Sequence, residues 1–325
     1  MTTLSNPRSN SRSDPAPDPS TTPDAERVDA GPPRRGDRPA ARTEIAVFLG
    51  TVAVLVTGTT AIGLAEGVDV SRIDEAGALG QAAMYGQAAV PGIAALVARR
   101  VTRGRSRGAG LGFRRPPLRA LGRAWLYAVA TVLGAAGLVW ATGLAGFASG
   151  ALGPQVLLGL TVLVVPYLLL ALAEDVGWRG LLVTRLAEIA GPRTVVLVGG
   201  LAWSAFHWPL MLVLGGAPDG VPIWFGILTF TAGGTLLGAV LASMQLRWGI
   251  WPGVLAHAVV NATAYHVVAP LTQERPLTGW FASETGLMAV LAGVVGVVVW
   301  WRLHPLVRTP DGRTVAGDRR SDRLG

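Results

Sequence analysis

The stretch "ALAEDVGWRGLL", residues 171–182, follows directly on the apolar run 153–173. It sets Glu174, Asp175 and Arg179 at the end of a hydrophobic segment, in a chain that otherwise avoids charge. Of the 325 residues, 50% are hydrophobic and 15% are charged. A soluble domain carries roughly 25% charged residues, so the shortfall reads as a membrane protein. The fold expected is all-α, a polytopic bundle of membrane helices.

A spanning helix needs roughly 20 mostly apolar residues. Eight segments answer that description, near 45–65, 77–98, 124–147, 153–173, 194–214, 222–246, 250–268 and 286–303. The second is interrupted by Gln81, Gln87 and Pro91, and only "RWG" separates the sixth from the seventh. Residues 1–42 are rich in Pro, Ser, Asp and Arg. They hold too little apolar surface to offset the entropy of ordering, which predicts a disordered tail. No apolar core of a cleavable signal peptide lies within it. The transmembrane domain is expected over 43–304, and a polar C-terminal tail over 305–325.

Net charge is +8, and every basic side chain is Arg. The segment after the second span holds nine of them, from Arg99 to Arg123. Basic loops favour the cytoplasm. With that loop inside, alternation puts both chain ends, Arg179–Arg193 and Arg247 inside as well. The outer segments then carry only Arg72 and Arg275. A multi-pass protein of the cell membrane with both termini cytoplasmic is therefore expected. Aromatic and basic residues do not interleave as nucleic-acid binding would require. The absence of Cys excludes disulfides, thiolate catalysis and Cys-ligated metal centres.

An ionisable group inside the bilayer is costly and marks a functional candidate. On a helix Asp175 and Arg179 form an i,i+4 pair with the acid first, the favourable order. Glu174 points about 100° away from Asp175, which leaves it less neutralised. An acid–base pair snorkelling at a helix end would account for Asp175 and Arg179 alone. In "LAWSAFHWPL" Trp203 and His207 share one face, and Pro209 should loosen the helix. A lone His among apolar residues is commonly a satisfied core residue. In "GVLAHAVVNAT" His257 and Asn261 again stand i,i+4; they could join two helices by hydrogen bonds or face a developing oxyanion. One strain remains in this reading. With Glu174 closing its span at the cytoplasmic side, His207 and His257 lie deeper, and their own depths differ by roughly 9 Å.

These three segments, in this order, resemble the CPBP family, the type II CAAX prenyl endopeptidases and the bacteriocin-processing and immunity membrane proteases related to them. The pattern of that family is a double acid followed by Arg, an aromatic four residues before His, and HxxxN. Here it reads "EDVGWR" at Glu174–Arg179, "WSAFH" at Trp203–His207 and "HAVVN" at His257–Asn261. Two positions depart from the usual pattern: Asp175 stands where Glu is usual, and Trp203 where Phe is commoner. The resemblance spans roughly 124–268, with a motif core at 153–268.

The resemblance implies an intramembrane endopeptidase acting on a membrane-associated protein or peptide, which can be lipid-modified. In it Glu174 and His207 would activate a water, and His257 and Asn261 would stabilise the oxyanion. Asp175, Arg179 and Trp203 would support the site. No cofactor is expected; the alternative is zinc held by Glu174, His207 and His257, although no HExxH occurs. A non-catalytic transporter or regulatory scaffold is the other reading, but the related halves of a transporter are not found. "GTLLG" at 234–238 is a helix-packing signal under either reading. His266 and His304 are placed outside the site. Neither a particular substrate nor an oligomeric state follows from the sequence.

Overall fold

The structure, a computed structural model, describes residues 37–102, 110–216 and 220–317. The expected N-terminal tail lies outside the described residues up to 36, and its last residues are helical: α1 runs Asp37–Ala65. There follow α2 (Ala78–Gln87), α3 (Val90–Val101), α4 (Leu118–Ala141), α5 (Pro154–Leu160), α6 (Val164–Asp175) and α7 (Thr184–Ile189). Beyond them come α8 (Pro192–Val213), α9 (Ile223–Trp248), α10 (Ile250–Thr263), α11 (Ala269–Leu271), α12 (Thr278–Phe281) and α13 (Leu287–Leu303). A π-helical stretch, Val176–Val183, joins α6 to α7, and a second, Ala264–Val268, joins α10 to α11. Two short antiparallel ribbons complete the fold: β1 (Gly146–Phe147) with β2 (Thr272–Gln273), and β3 (Leu306–Arg308) with β4 (Thr314–Ala316).

Among the described residues six helical stretches, not eight, are long and apolar enough to cross a membrane: Arg38–Ala65, Leu118–Ala141, Val156–Ile189, Pro192–Val213, Ile223–Trp248 and Ile250–Leu271. Of the two others expected, 286–303 forms a 17-residue apolar helix. The segment 77–98 is broken in two between Gln87 and Val90, so α2 and α3, of 10 and 12 residues, are each too short. Its polar residues and Pro91 were the sign of that break.

The largest correction concerns the fourth span. It does not end at residue 173; the candidate span Val156–Ile189 covers 34 residues, interrupted by a turn at 161–163 and continuous from Val164 to Ile189. Glu174 therefore stands in mid-helix. The helix continues because the charges that looked like its end are buried and paired. Asp175 and Arg179 are 0% and 3% exposed at their side chains. Arg185, which read as a loop charge, is also buried and bonds Glu44 of α1 at 2.6 Å.

Small residues bring the site helices close. A Cβ on Gly177 would collide with the carbonyl of Pro91, and one on Gly92 would come within 2.7 Å of the Ala173 carbonyl. The α3 backbone thus lies directly against the helix carrying Glu174. A Cβ on Gly200 would lie 2.7 Å from Thr235 Cα, and Gly238 packs against Gly200 in turn. The GxxxG signal is used, and it seats α8 on α9. At Gly249 the chain takes φ 87° to reverse from α9 into α10, with no room for a side chain beside Gly112. The α8 helix passes through Pro209 to Val213 without a break, so the expected loosening is confined to one lost hydrogen bond.

Aromatic residues gather at two levels. Phe225 and Trp280 meet at 4.7 Å at one end of the bundle; Trp248, Trp300 and His304 cluster within 6.1 Å of each other at the other. Such girdles belong at the two membrane–water interfaces. The described part of the segment expected as a C-terminal tail, 305–317, packs on the helices: Thr314 Oγ1 donates to Ala190 O at 2.8 Å, and Arg247 donates to Gly317 O.

Candidate active site

The depth strain in the sequence reading disappears once the fourth helix is followed to its end. α7 and α8 are antiparallel arms joined at Ala190–Gly191. Glu174 and His207 stand fifteen residues from Ile189 and Pro192 respectively, about 22 Å along each arm. They therefore arrive at the same level.

Between them stands Trp203. Its Nε1–H donates to Glu174 Oε2 at 2.9 Å, and its backbone carbonyl lies 2.9 Å from His207 Nδ1. A carbonyl only accepts, so Nδ1 of His207 carries the proton and Nε2 presents a lone pair. Phe206 and Phe230 wall the imidazole at ring distances of 4.9 and 5.2 Å.

Asp175 turns the other way from its neighbour. Its Oδ1 accepts from Arg179 Nη1 at 2.8 Å and lies 3.4 Å from His257 Nδ1. The Arg179 guanidinium carbon sits 3.8 Å from the centre of the Trp203 ring, and the His257 ring meets the same indole edge-on at 5.1 Å. A closed circuit results, running Trp203, Arg179, Asp175, His257 and back to Trp203, with Glu174 and His207 each joined to it at Trp203. This is why two adjacent acids stand together: each is held by a different partner, and the partners touch.

Asn261 lies one turn beyond His257 on α10 and is half-buried. Among the described residues no hydrogen bond holds its amide. His266, set aside from sequence, bonds Tyr167 at 3.1 Å, and His304 packs on Trp248 and Trp300. Neither joins the circuit.

Among the described residues no three His, Asp or Glu side chains are grouped so that they could hold a metal ion. Glu174 is engaged by Trp203 and His257 faces Asp175 through Nδ1. As arranged, Glu174, His207 and His257 do not fit a carboxylate-and-two-imidazole zinc site.

Several supporting residues escaped the sequence. Trp178, buried, is wedged edge-on between Phe48 and Phe206 at 5.3 and 5.6 Å and so ties α1, the π-helical stretch and α8 together. Gly177 and Gly92 set the α3 approach. Gln245 of α9 donates to Thr184 Oγ1 at 3.3 Å and to Leu111 O at 3.4 Å. Arg114 donates to Leu246 O at 3.1 Å, so part of the Arg-rich segment caps the end of α9. The one available signal was the π-helical stretch itself, since such stretches gather at functional sites, but no residue pattern announces it.

No curated protein matches the chain. Residues 153–263, which hold all seven residues of the site, match the family model described as type II CAAX prenyl endopeptidase Rce1-like, and the chain thus carries a domain of the family that its three motifs resemble.

Proposed function

We propose that the protein is an intramembrane endopeptidase that hydrolyses a peptide bond with a water activated by Glu174. The observation that carries this reading is the arrangement of Glu174 and His207 about Trp203. The carboxylate is fixed through Oε2, and the imidazole presents Nε2 at the same level. A base must lie within hydrogen-bond reach of the proton it takes, and these two groups are both held by Trp203.

In the reaction the water oxygen attacks the scissile carbonyl carbon while its proton passes to Glu174. The charge that develops on the carbonyl oxygen falls to the Asn261 amide and to His257. His257 turns Nδ1 toward Asp175 Oδ1, 3.4 Å away, which leaves its Nε2 edge for the oxyanion. Collapse of the intermediate breaks the C–N bond, and the proton held by Glu174 goes to the leaving amine. Asp175 and Arg179 hold the helix turn that sets both groups. No step passes through a metal.

The same reading places both termini in the cytoplasm of a cell-membrane protein, with α2–α3 and α13 completing the bundle beside the six long helices. The substrate is a membrane-associated protein or peptide, and a lipid anchor on it would sit naturally in the bilayer beside the site. The test is a comparison of membrane peptides from cells carrying wild type, a deletion, or Glu174→Gln. Loss of the same cleavage products in both altered strains, with Glu174→Gln present in the membrane at normal level, supports the reading. Unchanged products in Glu174→Gln overturn it.

A further inference from the structure

Trp203 touches each titratable or charged side chain of the site except Asp175, which it reaches through Arg179. It donates through Nε1 to Glu174, carries Arg179 on its face, meets His257 at its edge and accepts from His207 through its carbonyl. A phenylalanine ring could supply the face and the edge. Only the indole N–H can supply the bond to Glu174.

We propose that Trp203 is a positioning residue whose indole N–H selects which oxygen of Glu174 faces the reacting water. This rests on the function proposed above and assigns it a device that packing alone does not provide. Oε2 is taken by the indole at 2.9 Å, so Oε1 is the oxygen turned toward the water. The carboxylate of a half-buried Glu has free rotation about its last bond unless something holds it, and a base that rotates is misplaced for part of the time. The donor is itself held. The indole, 6% exposed, is fixed on one face by Arg179, which Asp175 holds in turn. The α8 backbone behind it is seated on α9 at Gly200 and Thr235. Rigidity therefore passes from the buried ion pair to the catalytic carboxylate through one aromatic ring, as preorganisation of a reacting group requires.

Two measurements test this, one of which needs no activity. In the purified protein, the infrared band of the Glu174 carboxylate is identified as the one lost in Glu174→Gln. It is expected to move in Trp203→Phe, and also when Trp203 is replaced by β-(3-benzothienyl)alanine, which keeps the indole shape and puts sulfur in place of N–H. The second variant answers the case in which Trp203→Phe fails to fold. A band that stays where it is in the folded variant overturns the inference. The second measurement uses vesicle-reconstituted protein and a pool of internally quenched peptides. Either variant should lower kcat about 10- to 100-fold, the effect of one hydrogen bond to a charged group, with KM changed less than about twofold. An unchanged kcat overturns the inference, and a change confined to KM does so too. If wild type cleaves no peptide in the pool, the endopeptidase reading suffers, and the infrared comparison still decides the role of Trp203.

Discussion

Asp175 Oδ1 receives Arg179 Nη1 at 2.8 Å with both side chains removed from solvent, and neither charge has water to fall back on. Losing one partner strands the other. Arg179→Met is expected to destabilise the protein by about 3–5 kcal/mol, read as a lowered unfolding midpoint in detergent. The double variant Asp175→Asn with Arg179→Met should recover part of that loss, because no lone charge is left behind. Additive losses would show that the two side chains act independently.

Glu174 is different, because its carboxylate is held by one neutral donor and is only partly buried. Glu174→Gln preserves size and can keep an oxygen toward Trp203, so the fold should survive with little change in unfolding midpoint. Activity should fall about 10²- to 10⁴-fold, the contribution of a positioned base. Asn261→Ala should cost about 10²- to 10³-fold, as removal of one oxyanion donor does. Initial rates on a cleaved peptide, measured beside unfolding curves, separate these effects from loss of fold.

The three motifs were legible because i,i+4 spacing survives in any helix, and the circuit uses those spacings as written: Asp175 with Arg179, and Trp203 with His207. The level at which they meet was not legible. A charge in an apolar run looks like a span's end, and only its partner shows that the helix goes on. For Arg185 that partner is Glu44, on another helix and far away in sequence. The broken segment at α2–α3 was half legible from Gln81, Gln87 and Pro91. Its role was not, because the contact of Gly177 with the Pro91 carbonyl joins two backbones and leaves no mark in side-chain patterns.

That contact carries its own prediction. A side chain at 177 must push α3 away, since the obstacle is a carbonyl of the backbone. Gly177→Val is expected to cost at least about 1–3 kcal/mol, the range for overpacking, and to free α2–α3 from the helix of Glu174. Because the chain contains no Cys, a cysteine pair placed across α3 and α6 reports the separation cleanly. Wild-type spacing should cross-link and the Gly177→Val background should not. Equal cross-linking in both would mean that α3 is not held at this point.

Removal of metal is expected to leave activity unchanged, because the imidazole and carboxylate donors are not grouped as a cage. Dialysis against a strong chelator, followed by assay and elemental analysis of the purified protein, checks this. Activity lost on dialysis and restored by zinc alone would reverse the assignment and make Glu174 a ligand instead of a base.

The last prediction concerns the pair farthest from the chemistry. Arg185 Nε lies 2.6 Å from Glu44 Oε2 with both side chains buried, and its Nη1 donates at 2.7 Å to Glu188, which is 19% exposed. The two acids should differ sharply in worth. Glu188→Gln leaves Arg185 its buried partner and removes only a partly hydrated one, so its cost should stay within about 1 kcal/mol. Glu44→Leu leaves the guanidinium to that wetter partner and removes a buried charged link between α1 and α7, and it should cost about 3–5 kcal/mol. Since α1 also carries Phe48 against Trp178, the loss should reach the π-helical stretch and lower activity along with stability. Unfolding midpoints and initial rates of the two variants decide it. Equal effects from Glu44→Leu and Glu188→Gln would mean that Arg185 draws on either acid alike, and that α1 is held by its apolar face.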